Sequence, residues 1–319
     1  MRRAGVLAVL ALVLAGSLAM VAVAPAAKRQ LSGTVRVSGA WAMYPMMVRW
    51  AGEFMKVNPK VRVDVSGGGA GKGAADALGG LVDIGMISRA IHPDEAAKGG
   101  WWVPVVKDAV LPTANAANPA AKELAARGMT QRQFAALWID GKRMTWGEVA
   151  GKPQIRVPVR VYTRADACGA ADVWALYLGN KKQEDLLGLG VNNDPGVAEA
   201  IKRDKSGLGY NNAGYAYDPK TDRPVKGLMI IPIDRNGNGK VDKNESFYAT
   251  RASVAKAIAD GRYPSPPARD PNLLTKGKPT GATAAFIRWI LSDGQRYVQS
   301  EGFILLPKAK VEAGLKKLK

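Results

Sequence analysis

The chain has 319 residues, 47% of them hydrophobic and 23% charged, which suits a globular protein of about two ordinary domains and excludes a disordered one. Forty-six lysines and arginines against 27 acidic residues give a formal charge of +19, and such a surface attracts polyanions. One cysteine, Cys168, excludes an intrachain disulfide, and with His92 as the single histidine the chain offers no triad, zinc or haem pattern, so an enzyme is not expected.

Met1-Arg2-Arg3 is a positive start, and Ala4 to Ala24 is continuously apolar. Small residues at Ala22-Val23-Ala24 and Ala26-Ala27 offer cleavage sites, so residues 1–27 are predicted to be a secretory signal peptide and the protein periplasmic or extracellular. An uncleaved anchor with its arginines inside is the alternative, and no other membrane contact is expected. For an exported chain the basic charge points to anionic solutes, envelope polymers or an acidic partner, and not to nucleic acid.

Thr34 to Ser38 is a first short strand, followed by the turn Gly39 to Tyr44. Pro45 suits a first helical turn, and Met43, Met47, Trp50, Phe54 and Val57 recur on one helical face until Asn58-Pro59 ends it. Val61, Val63 and Val65 alternate with Arg62 and Asp64, the pattern of a half-buried strand. The strand runs into Ser66-Gly67-Gly68-Gly69-Ala70-Gly71-Lys72-Gly73, then a short helix over 74–78 and an apolar run from Leu81 to Ile87, ending at Ser88-Arg89. A glycine loop that enters a helix presents free N–H groups where the helix dipole favours an anion. The P-loop spacing is absent, so Lys72 is no Walker lysine. Strand–helix–strand–helix–strand in this stretch predicts parallel pairing with ligands at the carboxyl ends, where Ser38 to Ala42, Ser66 to Lys72 and Ser88-Arg89 converge.

Farther on, 103–106 and 109–113 read as extended, and Thr130-x-x-Gln133 is a capping box opening a helix through Trp138. Ile155 to Tyr162 is a second strong strand that leads through Arg164-Ala165-Asp166-Ala167-Cys168-Gly169-Ala170 into a helix over 171–178, repeating the strand–glycine–helix device. Cys168 beside Arg164 at a helix start is either a low-pKa thiol or, as the favoured reading, a small buried replacement for serine. Asp194-Pro195 caps a helix to Arg203, 207–217 reads as strand, and the apolar strand 225–233 follows. A proline-rich link, Tyr263 to Pro271, precedes a helix carrying Phe286, Trp289 and Ile290. Between them, Asp234, Asn236, Asn238, Asp242 and Glu245 place oxygen donors at positions one, three, five, nine and twelve of a D-x-N-x-N-G-x5-E loop, Gly239 makes its turn and Lys240 supplies a carbonyl. These residues are predicted to hold a structural Ca2+.

This order of parts resembles the phosphate-binding proteins of bacterial ABC transporters, with a type II periplasmic-binding-protein fold. The resemblance rests on the turn 38–45, Ser66-Gly-Gly-Gly69, Val82-Asp83-Ile84-Gly85 through Ser88-Arg89, Phe134 to Val149, Arg164 to Gly169, Gly207-Leu-Gly-Tyr210 and 289–306. It implies an α/β fold of two domains with mixed sheets, flanking helices and a hinged cleft: residues 31–112 plus 224–319 as the first domain and 113–223 as the second. It also implies ligand contacts at Ala40, Trp41, Ala42, Gly69, Ala70, Gly71, Arg89, Arg164, Asp166, Cys168, Gly169 and Ala170. Asp166 would orient Arg164, and Trp41 would stack on a ligand or fill a vacated pocket. Where the family holds its oxyanion with hydroxyls, this chain has Ala40, Ala42, Ala70, Cys168 and Ala170. The expected function is capture of phosphate, with weakened affinity, or of another small anion or solute for an ABC permease. The alternative is an envelope scaffold or sensor that binds a protein partner or a polyanion.

Overall fold

The computed structural model describes residues 30–319. The predicted signal peptide therefore lies outside the described residues, among which no helix is long and apolar enough to cross a membrane. Strands follow in chain order as β1 (Gly33–Gly39), β2 (Val61–Gly67), β3 (Ile84–Ile87), β4 (Gly100–Pro104), β5 (Asp108–Asn115), β6 (Arg160–Arg164), β7 (Leu189–Val191), β8 (Gly207–Asn212), β9 (Leu228–Ile230), β10 (Ala268–Arg269) and β11 (Asn272–Lys276).

Alternating valines make the first sheet. Val35 lies opposite Val63 and Val37 opposite Val65 in the parallel β1–β2 pair, and β3 runs parallel on the other side of β1. Crossovers through the helices Tyr44–Val57 and Ala70–Leu78 connect them. The helix Tyr44–Val57 buries Met46, Met47, Trp50 and Phe54 against Phe286 and Ile287, but Val57, expected on that face, is exposed because it ends the last turn. Antiparallel β11 and β4 complete the order β2-β1-β3-β11-β4.

The second sheet has the order β10-β5-β8-β6-β7, with β9 also on β5. Its core is aromatic: Phe134, Trp138, Trp174 and Tyr210 form one contiguous set with ring centroids 5.2–6.0 Å apart. The chain enters this lobe between β4 and β5 and leaves it between β10 and β11. The expected boundaries are thus corrected. Residues 108–112 and 224–269 belong with the second sheet, because β5 and β9 pair within it and Ile230, Ile231, Ile233, Phe247, Tyr248, Val254 and Tyr263 fill its core.

Several elements also differ in extent. The strand expected over 155–162 starts only at Arg160, since Pro158 has no N–H to give a ladder. The run from Leu81 becomes a strand only at Ile84, and Leu81 itself is exposed. The stretch 207–217 stops being strand at Asn212 and turns into a short helix, Ala213–Ala216. The helix expected from Ala74 begins at Ala70, so the end of the glycine loop is already its first turn.

Candidate functional site

The carboxyl ends of β1, β2 and β3 do meet. Gly69 N–H donates to the Gly39 carbonyl at 3.1 Å and Ala40 N–H to the Met86 carbonyl at 2.9 Å. Facing them is the loop after β6. Gly71 N–H donates to the Ala167 carbonyl at 3.1 Å, and Gly169 lies so close to Ser88 that a Cβ would overlap its carbonyl oxygen. The helices Ala70–Leu78 and Gly169–Tyr177, one from each lobe, therefore direct their N-termini toward the same cleft. Tyr215 crosses it as well, its hydroxyl donating to the Trp41 carbonyl at 3.0 Å. The Trp41 ring rests on Gly67, where a side chain would collide with it.

Four of the residues expected to contact a ligand, Ala40, Ala42, Ala70 and Ala170, are all buried. Cys168 caps the second helix, its Sγ accepting Ala171 N–H at 3.4 Å while its own N–H donates to Gln183 Oε1 at 3.0 Å. Burial, against the opposing pull of Arg164, pushes this thiol up to about 12. Burial and the cap bond suit the reading of Cys168 as a small buried group at a helix cap rather than an exposed thiolate.

Arg164 is not a free cation. Its Nε and Nη2 donate to the two oxygens of Asp166 at 2.8 and 2.6 Å, and Nη1 donates to Asp194 Oδ2 at 2.8 Å. Burial would favour its neutral form, but Asp194 and Asp166 outweigh that and raise its pKa further. Burial likewise would raise Asp166, yet the Arg164 hydrogen bonds and charge hold it below the usual carboxylate range.

Arg89, expected to face a ligand, is instead committed to protein carboxylates. Nη1 and Nη2 donate to the two oxygens of Glu95 at 2.9 and 2.7 Å, and Nε lies 2.8 Å from Asp172 Oδ2. Asp172 belongs to the helix of the opposite lobe, so Arg89 bridges the cleft. Two arginines here meet four carboxylates, a balance that disfavours an added anion relative to free guanidinium groups.

Asp194, Asp172, Tyr215 and Ser88 complete the site, and sequence reasoning left them unassigned. An acidic residue in the first turn of a helix is ordinary, so nothing local marked Asp194 as a partner of Arg164. Ser88 did carry a signal, as the last residue of a strand whose end was expected at the cleft. Behind Arg164 the buried network continues. Asn212 donates to Asp194 and accepts from Arg269, which pairs with Asp108 at 3.1 Å. The predicted metal ligands, Asp234 to Glu245, lie elsewhere, in a loop after β9 in the second lobe.

A family model described as a PBP superfamily domain matches residues 24–294. Protein SphX of Synechococcus elongatus is 27% identical over 288 residues, covering 86% of this chain and 77% of that protein. The phosphate-binding protein PstS of Bacillus subtilis is 26% identical over 289 residues, covering 89% and 84%. Among solved structures, a substrate-binding protein of Clostridium perfringens with bound phosphate superposes with a TM-score of 0.69 at 20% identity, over 86% of this chain and 100% of that one. An ABC-type phosphate transport receptor of Vibrio cholerae gives 0.63 at 19% identity, over 86% and 100%.

Proposed function

We propose, on the premise that this chain belongs to the PBP superfamily and groups there with the phosphate ABC substrate-binding proteins, that it is an exported solute-binding protein which captures an oxyanion between its lobes for an ABC permease. One observation carries the reading: two helix N-termini, one per lobe, converge on a single cleft and meet through the Gly71–Ala167 hydrogen bond. The dipoles of both helices favour an anion at such a site, the Gly71 N–H itself being held by Ala167 in this structure. The binding is weak for phosphate, because the alanines cannot donate and Arg164 is already paired. A hydrogen bond to a charged group contributes about 1.5–3 kcal/mol, so the absence of several lowers affinity by orders of magnitude.

Calorimetric titration with inorganic phosphate tests this on the purified protein and on the triple variant Ala70→Ser/Cys168→Ser/Ala170→Thr. The variant is expected to bind at least about tenfold more tightly, one good hydrogen bond's worth. Tight binding by the unaltered protein would overturn the account of the pocket.

A second reading, an envelope scaffold or sensor without a small solute, is favoured by the pairing of both cleft arginines with protein carboxylates. It gains if neither the original nor the restored protein binds an anion.

A further inference from the structure

We propose that the loop Asp234–Glu245 is a calcium site that pins the segment after β9 to the second lobe. The spacing of its oxygen donors is the first ground. A second and independent one is burial without charge compensation. Asp234 and Glu245 are 3% and 2% exposed, yet among the described residues neither forms a salt bridge. Each carboxylate oxygen accepts one backbone N–H: Gly237 and Gly239 on Asp234 at 2.7 and 2.8 Å, Arg235 and Asp242 on Glu245 at 2.9 and 3.2 Å. Those bonds leave a lone pair on every oxygen, and among the described residues no lysine or arginine comes within ion-pair distance of either carboxylate. Buried charges of this kind are paired or coordinate a metal.

The remaining donors are already gathered. Asn236 and Asn238 both turn their amide nitrogens onto Asp242 Oδ2, at 2.9 and 2.8 Å. Their amide oxygens accept Asn238 N–H and Lys240 N–H at 3.1 and 2.9 Å and each keeps a second lone pair for an ion, so Asn236, Asn238 and Asp242 stand together in one loop with oxygen to offer. With the Lys240 carbonyl and both oxygens of Glu245, the set is all oxygen and supplies the number that calcium takes, beyond what magnesium's small octahedron needs. Arg127 lies against Gly239, and Arg235, Lys240 and Lys243 are in the loop itself. These cations oppose a dication, which places the site in the weak class, with Kd about 10⁻⁴–10⁻³ M.

The loop's attachments give the ion a structural consequence. Asp234 N–H donates to the Met129 carbonyl at 3.0 Å and Val241 N–H to the Ala126 carbonyl at 2.9 Å, so the loop wraps the end of the helix Ala121–Arg127. Just beyond it, Phe247 and Tyr248 enter the second core. Ordering the loop therefore holds that core's lid in place.

The test is titration of chelator-stripped, purified protein with calcium chloride by calorimetry, alongside melting curves in calcium, magnesium and chelator. One ion per chain and a melting temperature raised by several degrees in calcium alone are expected. Glu245→Gln should weaken binding at least about tenfold with an unchanged far-UV spectrum. Should that variant misfold, Asp242→Asn, at a partly exposed position bonded to the two asparagines, serves in its place. Superimposable melting curves without binding heat, an equal response to magnesium, or calcium binding undiminished in these variants would each overturn the proposal.

Discussion

Replacing Arg164 by methionine should damage the fold more than it damages any binding. The side chain is 1% exposed and answers two carboxylates, Asp166 and Asp194, whose side chains are 19% and 3% exposed. Methionine fills much of the volume without the charge, so Asp194 stays buried and Asp166 half-buried with no guanidinium to answer them. Breaking a buried ion pair from one side costs about 3–5 kcal/mol. For a chain of this size each kcal/mol moves the melting temperature by roughly 2–4 °C, so a fall of about 6–20 °C is expected at neutral pH. Adding Asp194→Asn to Arg164→Met should restore part of the loss, because one stranded charge is then gone.

The pH dependence has a definite sign. The native carboxyl of Asp166 is held below its ordinary value, so its contribution is present above the unfolded pKa and disappears as pH falls through the native one. The gap between the original protein and Arg164→Met should therefore close below about pH 4. Scanning calorimetry across that range is the assay. A variant melting within about 2 °C of the original at neutral pH would refute the claim that Arg164 is a structural clamp.

Cys168, buried and with its thiol pushed up to about 12, should resist Ellman's reagent in the native protein and react in full on denaturation; rapid native modification would contradict the buried cap. At the cleft bridge, Glu95→Gln should destabilise by several kcal/mol, since it removes the charge and one of the two acceptor oxygens of a bidentate pair 7% exposed on each side and turns an NH2 onto the Arg89 guanidinium. Asp172→Asn should cost under about 1 kcal/mol, because Arg89 keeps Glu95 and burial already raises the Asp172 carboxyl despite Arg89 and His92. Equal melting temperatures for the two variants would defeat that ordering. Phosphate titration reads the cleft, and calcium titration reads a loop outside it.

Much of the architecture was legible because its cause is local. Val61, Val63 and Val65 announce a strand by alternation, Met47, Trp50 and Phe54 announce a helix by spacing, and the strand–helix order then leaves parallel pairing as the one compact solution. The glycines and Arg164 marked the cleft, and the twelve-residue spacing marked the loop proposed to take calcium. Long-range partners were not legible. That Arg164 would be shared with Asp194, or Arg89 with Asp172, depends on which strands become neighbours, and no periodicity encodes the charge state of a distant side chain. The return of 224–269 to the second lobe had the same origin. Its apolar residues fit either core by composition, and the antiparallel pairing of β9 and β10 with β5 decided between them. Local pattern set which residues must be buried; packing alone determined against what, and so whether a charge in the cleft was free to meet a ligand.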